Sequence, residues 1–333
     1  FPPPSCVRAL STASARRCWR YPRTAGHTAL VGEPFIGSEA LSAGRLTRHQ
    51  LRTNFVAVHK DVYVPRGTRP TAIVRAKAAW LRSKRRGVLA GFSAAALHGA
   101  RFIGPEIPAY ICDRYCRGER GVVVWRDTPA DDEVCRIGEM LLTTPLRTAV
   151  DLARKLPEDV AVAAIDALAR AARLTVADIE LAAARHTGQR GILQARKTIA
   201  LVDPKAGSPR ESALRLLIIR SGLPKPESQH SIYNEYGALL GVVDFAWPEL
   251  KIAVEYEGGH HTDPEAVRRD IARIESMVEA GWLVIRVTVR DPAGVVLRRL
   301  INARASRGAV DDVAWRFPRD EAERLWRAEM WAS

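Results

Sequence analysis

The chain has 333 residues, of which 47% are hydrophobic and 26% are charged, proportions that are ordinary for a globular protein of two or three domains. Its 51 Lys and Arg residues against 37 Asp and Glu residues give a formal net charge of +14, which predicts a surface that attracts polyanions such as nucleic acid. No apolar run approaches the roughly 20 residues of a membrane span, and five scattered cysteines indicate a reduced cytoplasmic compartment without a structural metal.

Residues 1–29 are rich in arginine, and no acidic residue precedes Glu33. Organellar transit peptides share this composition. The sequence does not begin with Met, so a truncated or over-extended start is an equal alternative. We treat residues 1–29 as a disordered basic tail and assign it no function.

Residues 30–70 have the element order of a winged helix. Leu41, Leu46 and Leu51 mark two short helices, and Thr47 is placed to cap the second one. Two β-rich runs, 55–58 and 62–64, surround the turn at 59–61. The residues predicted to bind DNA from the second helix and the wing are Arg45, Arg48, His49, Arg52, Lys60 and Arg66. The alternative is a solvated basic face on a small helical cap.

Residues 71–203 are predicted to form a mixed α/β region followed by helices. A helix at 72–85 precedes short strands at 109–112, 121–125 and 134–137. The segment 143–186 is helical over most of its length, with a break at Pro157 and a new cap at Thr175. No residue pattern along its Ala-rich faces indicates a catalytic or binding site. The phrase LVDPKAGSP, residues 201–209, is the strongest linker signal in the chain.

Residues 204–305 are predicted to form one α/β domain with a mixed sheet, followed by an extension at 306–333. Ser208, Pro209 and Glu211 stand in the preferred positions of a helix start. Strands follow at 230–233, 239–246 and 251–257. A helix after Pro264 precedes a nearly continuous apolar strand at 283–289, which should lie parallel to 251–257. The apolar stripe of that helix consists of Val267, Ile271, Ile274 and Val278.

The hairpin in this domain carries several carboxylates. A turn at Pro248-Glu249 would pair Asp244 with Ala253 and place Glu255 and Glu257 on the same face. Asp244 and Glu255 would then be diagonal neighbours with Cα atoms roughly 7–8 Å apart. Mg²⁺, or alternatively Mn²⁺, would relieve their repulsion by binding oxygen atoms of both. A shift of one residue would turn Asp244 to the other face.

The residues around this hairpin extend the candidate site. Gly258 and Gly259 would let a sugar–phosphate backbone approach, and His261 would donate to a phosphate or move a proton. Glu211 would approach the same end of the sheet. These acidic and histidine residues also have explanations without a functional role. Glu211 would complete a capping box, and Glu257 and His261 would be solvated side chains. The basic residues predicted to hold phosphates nearby are Arg268, Arg269 and Arg273.

The stretches VVDFAWPELKIAVEYEGGHH and RRDIARIESMVEAGWLVIRVTV resemble the uncharacterised domain related to very-short-patch-repair endonucleases, a member of the PD-(D/E)xK, restriction-endonuclease-like superfamily. The resemblance covers roughly residues 208–300. Its anchors are Glu211, Asp244, Glu255, Gly258, His261, Asp270, Gly281, Trp282 and Arg286. Upstream, LTRHQL, VHKDVYV and TTPLRTAVDLAR are similar to actinobacterial proteins that join this domain to an abortive-infection antitoxin-like winged helix.

The resemblance implies Mg²⁺-dependent phosphodiester hydrolysis. Asp244 and Glu255 would hold the metal ion, which activates water and stabilises charge on the phosphate. Glu257 stands where the superfamily usually has a catalytic lysine, and His261 is the natural substitute. The candidate catalytic residues are Glu211, Asp244, Glu255, Glu257 and His261.

We therefore predict an α/β protein with an N-terminal winged helix, a mixed α/β and helical middle region and a C-terminal restriction-endonuclease-like domain. The predicted function is that of a Mg²⁺-dependent DNA endonuclease that docks on duplex DNA. The alternative is a non-catalytic, antitoxin-like transcriptional regulator whose nuclease domain is degenerate. A basic interaction protein without a DNA role is a third interpretation. A homodimer is compatible with the first two.

Overall fold

A computed structural model describes residues 32–258, 264–310 and 319–327. It confirms the predicted α/β class, with helices packed around three separate β-sheets. The predicted tail at 1–29 and His261 lie outside the described residues, as does much of the extension at 306–333. Within the described ranges, no helix combines the length and apolar character needed to cross a membrane.

The first unit has two helices followed by an antiparallel hairpin, which is the predicted order of elements. Its three strands pair in the order β1-β3-β2. Asp61, in the hairpin turn, accepts hydrogen bonds from the backbone and hydroxyl of Ser38 in the first helix, and so ties the wing to that helix. The elements are β1 (Phe35–Ile36), α1 (Gly37–Ser42), α2 (Arg48–Asn54), β2 (Phe55–His59) and β3 (Val62–Pro65).

A five-stranded mixed sheet follows, with the strand order β6-β5-β4-β8-β7. Strands β5 and β7 have the predicted bounds, whereas β4, β8 and α4 were not predicted. The side chain of Val62 packs in one cluster with Trp80, Leu89 and Ile111, so the core is continuous across the proposed boundary at residue 70. The elements are α3 (Ala72–Arg82), β4 (Val88–Leu89), α4 (Gly91–Leu97), β5 (Ala109–Cys112), β6 (Val122–Trp125), β7 (Val134–Ile137) and β8 (Met140–Thr143).

Five helices form the next layer. Pro157 separates the first two, and the Thr175 side chain caps the third by accepting a hydrogen bond from the Asp178 backbone, as the sequence predicts. Alanine and branched apolar side chains from the first four of these helices form a single buried cluster. The helices are α5 (Pro145–Lys155), α6 (Glu158–Ala172), α7 (Val176–Ala184), α8 (Ile192–Ala200) and α9 (Pro209–Arg220).

The segment 201–209 is not the free linker that its composition predicts. The backbone N–H of Asp203 donates to Asp166 of α6 at 2.7 Å, and the Arg215 guanidinium of α9 donates to the carbonyl of Leu201. Arg215 also pairs with Asp166 at 2.7 Å, and both side chains are buried. The segment is therefore held between two packed helices by a buried ion pair.

The last sheet is mixed, with the strand order β12-β11-β10-β9, and β11 is parallel to β12 as predicted. Helices α9, α11 and α12 contribute to the main cluster on one face, and Met277 of α10 packs in a smaller cluster on the other. The elements are β9 (Glu227–Tyr233), β10 (Leu239–Trp247), β11 (Ile252–Glu257), α10 (Pro264–Glu279), β12 (Leu283–Thr288), α11 (Ala293–Ser306) and α12 (Arg319–Arg327).

Candidate functional site

The β10–β11 hairpin has a different register from the predicted one. Trp247 pairs with Ile252 and Ala246 with Ala253, so the expected pairing of Asp244 with Ala253 is wrong. The turn is a four-residue loop that contains the 3-10 turn Pro248–Leu250 and closes at Lys251, whose φ is 50°. The register therefore shifts by two residues. Continued by one position, it sets Asp244 opposite Glu255.

Strand β10 departs from simple alternation at Asp244. Phe245 packs in the cluster on the α9 side, whereas Val243 packs with Ala246 and Met277 on the α10 side. On β9, Gln229 has a φ of 52°, a left-handed conformation that is uncommon outside glycine. At this irregular point, the carboxylate of Asp244 lies close enough to interact with residues on both sides of the sheet.

Asp244 is held by two hydrogen bonds from neighbouring strands. The backbone N–H of Tyr256 donates to its Oδ2 at 2.7 Å, and the amide of Gln229 donates to its Oδ1 at 3.3 Å. The same amide nitrogen donates to Oε2 of Glu211 at 3.0 Å. Glu211 of α9 thus reaches the same end of the sheet, as the sequence suggests, and one amide links the two carboxylates.

The charge on Asp244 has no basic partner among the residues that the structure describes. Burial, and then the negative charges of Glu211 and Glu255, raise the pKa of Asp244 from 3.8 to about 7. A carboxyl group with such a pKa is only partly ionised at neutral pH. A raised pKa with identifiable causes is a feature of functional sites, although structural clusters also produce it.

Arginines neutralise the other two acids of the hairpin. Arg273 of α10 donates to both oxygens of Glu255, at 2.6 and 3.0 Å, and also pairs with Asp270 at 2.6 Å. Arg286 of β12 pairs with Glu257 at 2.9 Å and with Asp270 at 3.0 Å. The sequence predicts that a metal ion relieves the repulsion between these acids. At Glu255 and Glu257, arginine side chains do so instead. Arg273 contacts carboxylates where a phosphate was expected.

A site for a hard divalent cation requires several oxygen ligands. Asp244 and Glu211 fit, because their carboxylates lie close to each other and neither forms an ion pair with a residue that the structure describes. Glu255, the second predicted metal ligand, would have to release Arg273 before it bound an ion. Within the described ranges, no three His, Cys, Asp or Glu side chains are arranged as a metal-binding set. His261 lies outside those ranges.

A second candidate surface is the basic face of the winged helix. Residues 35–69 contain six Lys or Arg and only two acids, Glu39 and Asp61. Both acids are engaged, because Glu39 pairs with Arg85 at 2.6 Å and Asp61 binds Ser38. Every basic residue predicted to bind DNA here is exposed, namely Arg45, Arg48, His49, Arg52, Lys60 and Arg66. This face therefore carries a net positive charge.

The orientation of α2 on that face is fixed at both ends. Thr47 and Gln50 form a reciprocal capping box at its start. Arg66, from the strand that leaves the wing, donates to the carbonyls of Arg52 at 3.1 Å and Thr53 at 2.6 Å. A cation at the carbonyl end of a helix is also favoured by the helix dipole. Arg66 thus has a structural contact in addition to its predicted contact with DNA.

The helical region contains a charged cavity that the sequence analysis missed. Arg147 pairs with Glu133 and with Asp151, the latter at 2.8 Å, and His186 approaches Glu133 at 2.9 Å. The signal was present as Arg147, Asp151 and Arg154, which lie on one face of α5 at helical spacing. The cavity has a volume of about 520 Å³ and is lined by Asp127, Thr128, Ala130, Glu133, Arg147, Arg154, Arg185, His186, Gln189 and Arg190.

One comparison with known proteins concerns this same part of the chain. Residues 64–201 match the AbiEi antitoxin C-terminal domain. This match confirms an abortive-infection antitoxin-like region, which runs from the end of β3 through α8 and includes the charged cavity. It begins where the winged helix ends.

Two curated relatives add no function. Two proteins of Mycobacterium tuberculosis, from different strains and both named as uncharacterized, are 40% identical to this chain over 157 residues, which is 47% of this chain and 58% of each relative. The chain thus spans less than three fifths of the length of the curated relatives it matches. No solved structure matches it.

Proposed function

We propose that the protein is a DNA-binding regulator of the antitoxin type, which docks on double-stranded DNA through the winged helix of residues 35–65. The observation that carries this proposal is the exposed, net positive face on and around α2, next to the antitoxin-like region at 64–201. The proposed partner is duplex DNA, and the proposed location is the cytoplasm.

The geometry of the winged helix supports this use. Helix α2 carries Arg48 and His49 at its start and Arg52 one turn later, all exposed. In helix-turn-helix proteins, the N-terminal residues of the second helix contact base edges in the major groove while neighbouring residues bind phosphates. Lys60, at the tip of the wing, is placed to contact the backbone beside that groove. Arg66 and the capping box hold α2 in one orientation, which lowers the entropic cost of binding.

The first test removes charge from α2. The double substitution Arg48→Ala with Arg52→Ala is expected to weaken binding to duplex DNA by about tenfold or more in 100 mM salt, because two phosphate or base contacts are lost. The slope of log K against log salt concentration should fall by about 2. Fluorescence anisotropy with a labelled duplex measures both quantities.

The matched control is Arg196→Ala with Lys197→Ala, which removes the same charge from exposed positions on α8. Its affinity and salt slope should stay close to those of the parent. Equal affinities for the parent and the α2 double variant would contradict the assignment of this face.

A second candidate function, a metal-dependent DNA endonuclease, is favoured by the raised pKa of Asp244 beside Glu211. Asp244 and Glu211 would hold Mg²⁺ or Mn²⁺, with Glu255 available if Arg273 moves. A bound ion would supply Lewis-acid stabilisation of charge on the scissile phosphate. Glu257 and His261 remain proposed catalytic residues, and Arg268 and Arg269 remain proposed phosphate contacts. Arg273 would have to release Glu255 and Asp270 before it bound a phosphate.

Plasmid nicking tests this second candidate. If the site is catalytic, Mg²⁺ or Mn²⁺ will support nicking of supercoiled DNA by the parent and by Glu249→Gln, an exposed carboxylate in the hairpin loop. Asp244→Asn should reduce the rate by at least about a hundredfold, since a ligand to the ion is lost. Nicking at parental rates in Asp244→Asn would show that the activity belongs elsewhere.

A further inference from the structure

One row of residues on helix α10 faces the sheet, and an apolar row beside it is largely exposed. Asp270 and Arg273 face the sheet, where they bind Arg286 and Glu255, and Met277 of the same row is fully buried. The apolar stripe found in the sequence is the next row around the helix. Its members are exposed by 38% at Val267, 48% at Ile271 and 54% at Val278, with Ile274 half-buried.

This row has the spacing of one helix face, i, i+4, i+7 and i+11. A helix of 16 residues is about 24 Å long, so the row runs along most of α10. A contiguous line of exposed Val and Ile side chains is uncommon on the surface of a monomer and marks a contact surface. The clusters that form around the sheet do not include Val267, Ile271 or Val278.

A row of charged residues flanks the apolar row. Arg268, Ala272, Glu275 and Glu279 follow the same spacing one position later, and all four are exposed. The cation lies near the start of α10, and the two acids lie near its end. An antiparallel copy of the helix would place this arginine opposite those glutamates, so the flank is complementary to itself.

We propose that a second copy of this chain packs on α10 with the helices antiparallel, about a two-fold axis near residues 272 and 273. Val267 of each copy then contacts Val278 of the second copy, and the two Ile271 side chains meet Ile274 near the axis. Arg268 pairs across the flank with Glu275 and Glu279 of the second copy. Isologous two-fold contacts of this kind are the commonest symmetry of protein oligomers.

The proposed dimer has a consequence for DNA recognition that goes beyond the proposed function. A two-fold axis relates two winged helices, so a dimer would favour inverted repeats whose half-sites are separated by a fixed distance. A single winged helix would bind one half-site without this preference. The dimer contact itself does not depend on DNA. The proposed dimer and the proposed DNA binding can therefore fail independently.

Sedimentation equilibrium of the full chain tests the contact. The parent should show a concentration-dependent dimer. Ile271→Glu should raise its dissociation constant by at least about thirtyfold, the effect typical of a central interface residue. Leu193→Glu is the matched control, because Leu193 is 72% exposed on α8, and it should leave the dimer unchanged. A parent that stays monomeric, or an Ile271→Glu variant that dimerises like the parent, overturns the proposal.

Charge reversal provides a test that does not change the apolar row. Arg268→Glu alone should weaken the dimer about tenfold, and so should the pair Glu275→Arg with Glu279→Arg, because like charges then face each other. All three substitutions together should restore an affinity within about threefold of the parent. Failure of the triple variant to recover overturns the antiparallel arrangement. Binding of a single half-site by Ile271→Glu, which has no assigned contact with DNA, should equal that of the parent.

Discussion

Replacing Arg215 with methionine is expected to lower the free energy of unfolding by about 3–5 kcal/mol, the cost of leaving one partner of a buried ion pair alone. The guanidinium of Arg215 is fully buried and bonds Asp166 at 2.7 Å. Asp166 also accepts hydrogen bonds from Ser212 at 2.6 Å and from the Asp203 backbone at 2.7 Å. Loss of Arg215 therefore loosens α6, α9 and the segment between α8 and α9 together. Chemical denaturation monitored by circular dichroism measures the change.

The pH dependence of the stability loss shows whether the charge of Asp166 causes it. Burial raises the pKa of Asp166 from 3.8 to about 6 even with Arg215 in place. A carboxyl group with a raised pKa in the folded state binds more protons there than in the unfolded chain, so its contribution to stability falls as pH rises between those two values. Without the guanidinium the pKa of Asp166 should rise further, and the deficit of the variant should grow between pH 4 and pH 8.

Two variants control this experiment. Arg220→Met removes an arginine from the same helix, but its partners Glu158 and Asp159 have side chains that are 33% and 40% exposed, so a loss within about 1 kcal/mol is expected. Asp166→Asn combined with Arg215→Met should recover part of the stability, because no buried charge remains. A double variant less stable than Arg215→Met would contradict this account of the pair.

Asp244→Asn is expected to stabilise the protein at pH 8 by on the order of 2 kcal/mol, with no gain at pH 4. In the parent, burial and the charges of Glu211 and Glu255 raise the pKa of Asp244 to about 7, so ionisation of this group costs stability as pH rises from 4 to 7. An asparagine can still accept the Tyr256 hydrogen bond and carries no charge. Thermal melts of both proteins across this pH range measure the difference.

Mg²⁺ gives the same experiment a second readout. If Asp244 and Glu211 hold a cation, millimolar Mg²⁺ should raise the melting temperature of the parent at pH 8 and leave Asp244→Asn unchanged, since a ligand that binds only the folded state stabilises it. Glu235→Gln, an exposed carboxylate in the β9–β10 loop, should respond to Mg²⁺ like the parent. Equal Mg²⁺ responses in the parent and Asp244→Asn would argue against a cation at this site.

The hairpin shows what pattern alone can and cannot determine. Alternation of apolar and acidic residues located the strands, but it did not determine the register, which differs from the predicted one by two residues. The error arose at the loop, where Lys251 adopts a left-handed conformation that its residue type does not signal. Gln229, on the strand beside Asp244, also has a left-handed φ that its residue type does not signal.

The sequence could not predict the orientation of α10 or the fixed position of segment 201–209, for a related reason. An apolar stripe identifies a helix and its faces, but which face meets the sheet depends on the partners available there. Asp270 and Arg273 turn inward because Glu255 and Arg286 need counter-charges. Likewise, Asp166 and Arg215 are 49 positions apart, so no local pattern reveals that their ion pair fixes an apparent linker.

Binding of the intact protein to duplex DNA at low salt with EDTA present tests the central claim most directly. The account predicts saturable binding that EDTA does not change, with an affinity that falls steeply as salt rises from 50 to 200 mM, as expected when several phosphates are neutralised. Absence of binding at low salt, or binding that appears only with added Mg²⁺, would contradict a winged-helix regulator whose contact with DNA needs no metal.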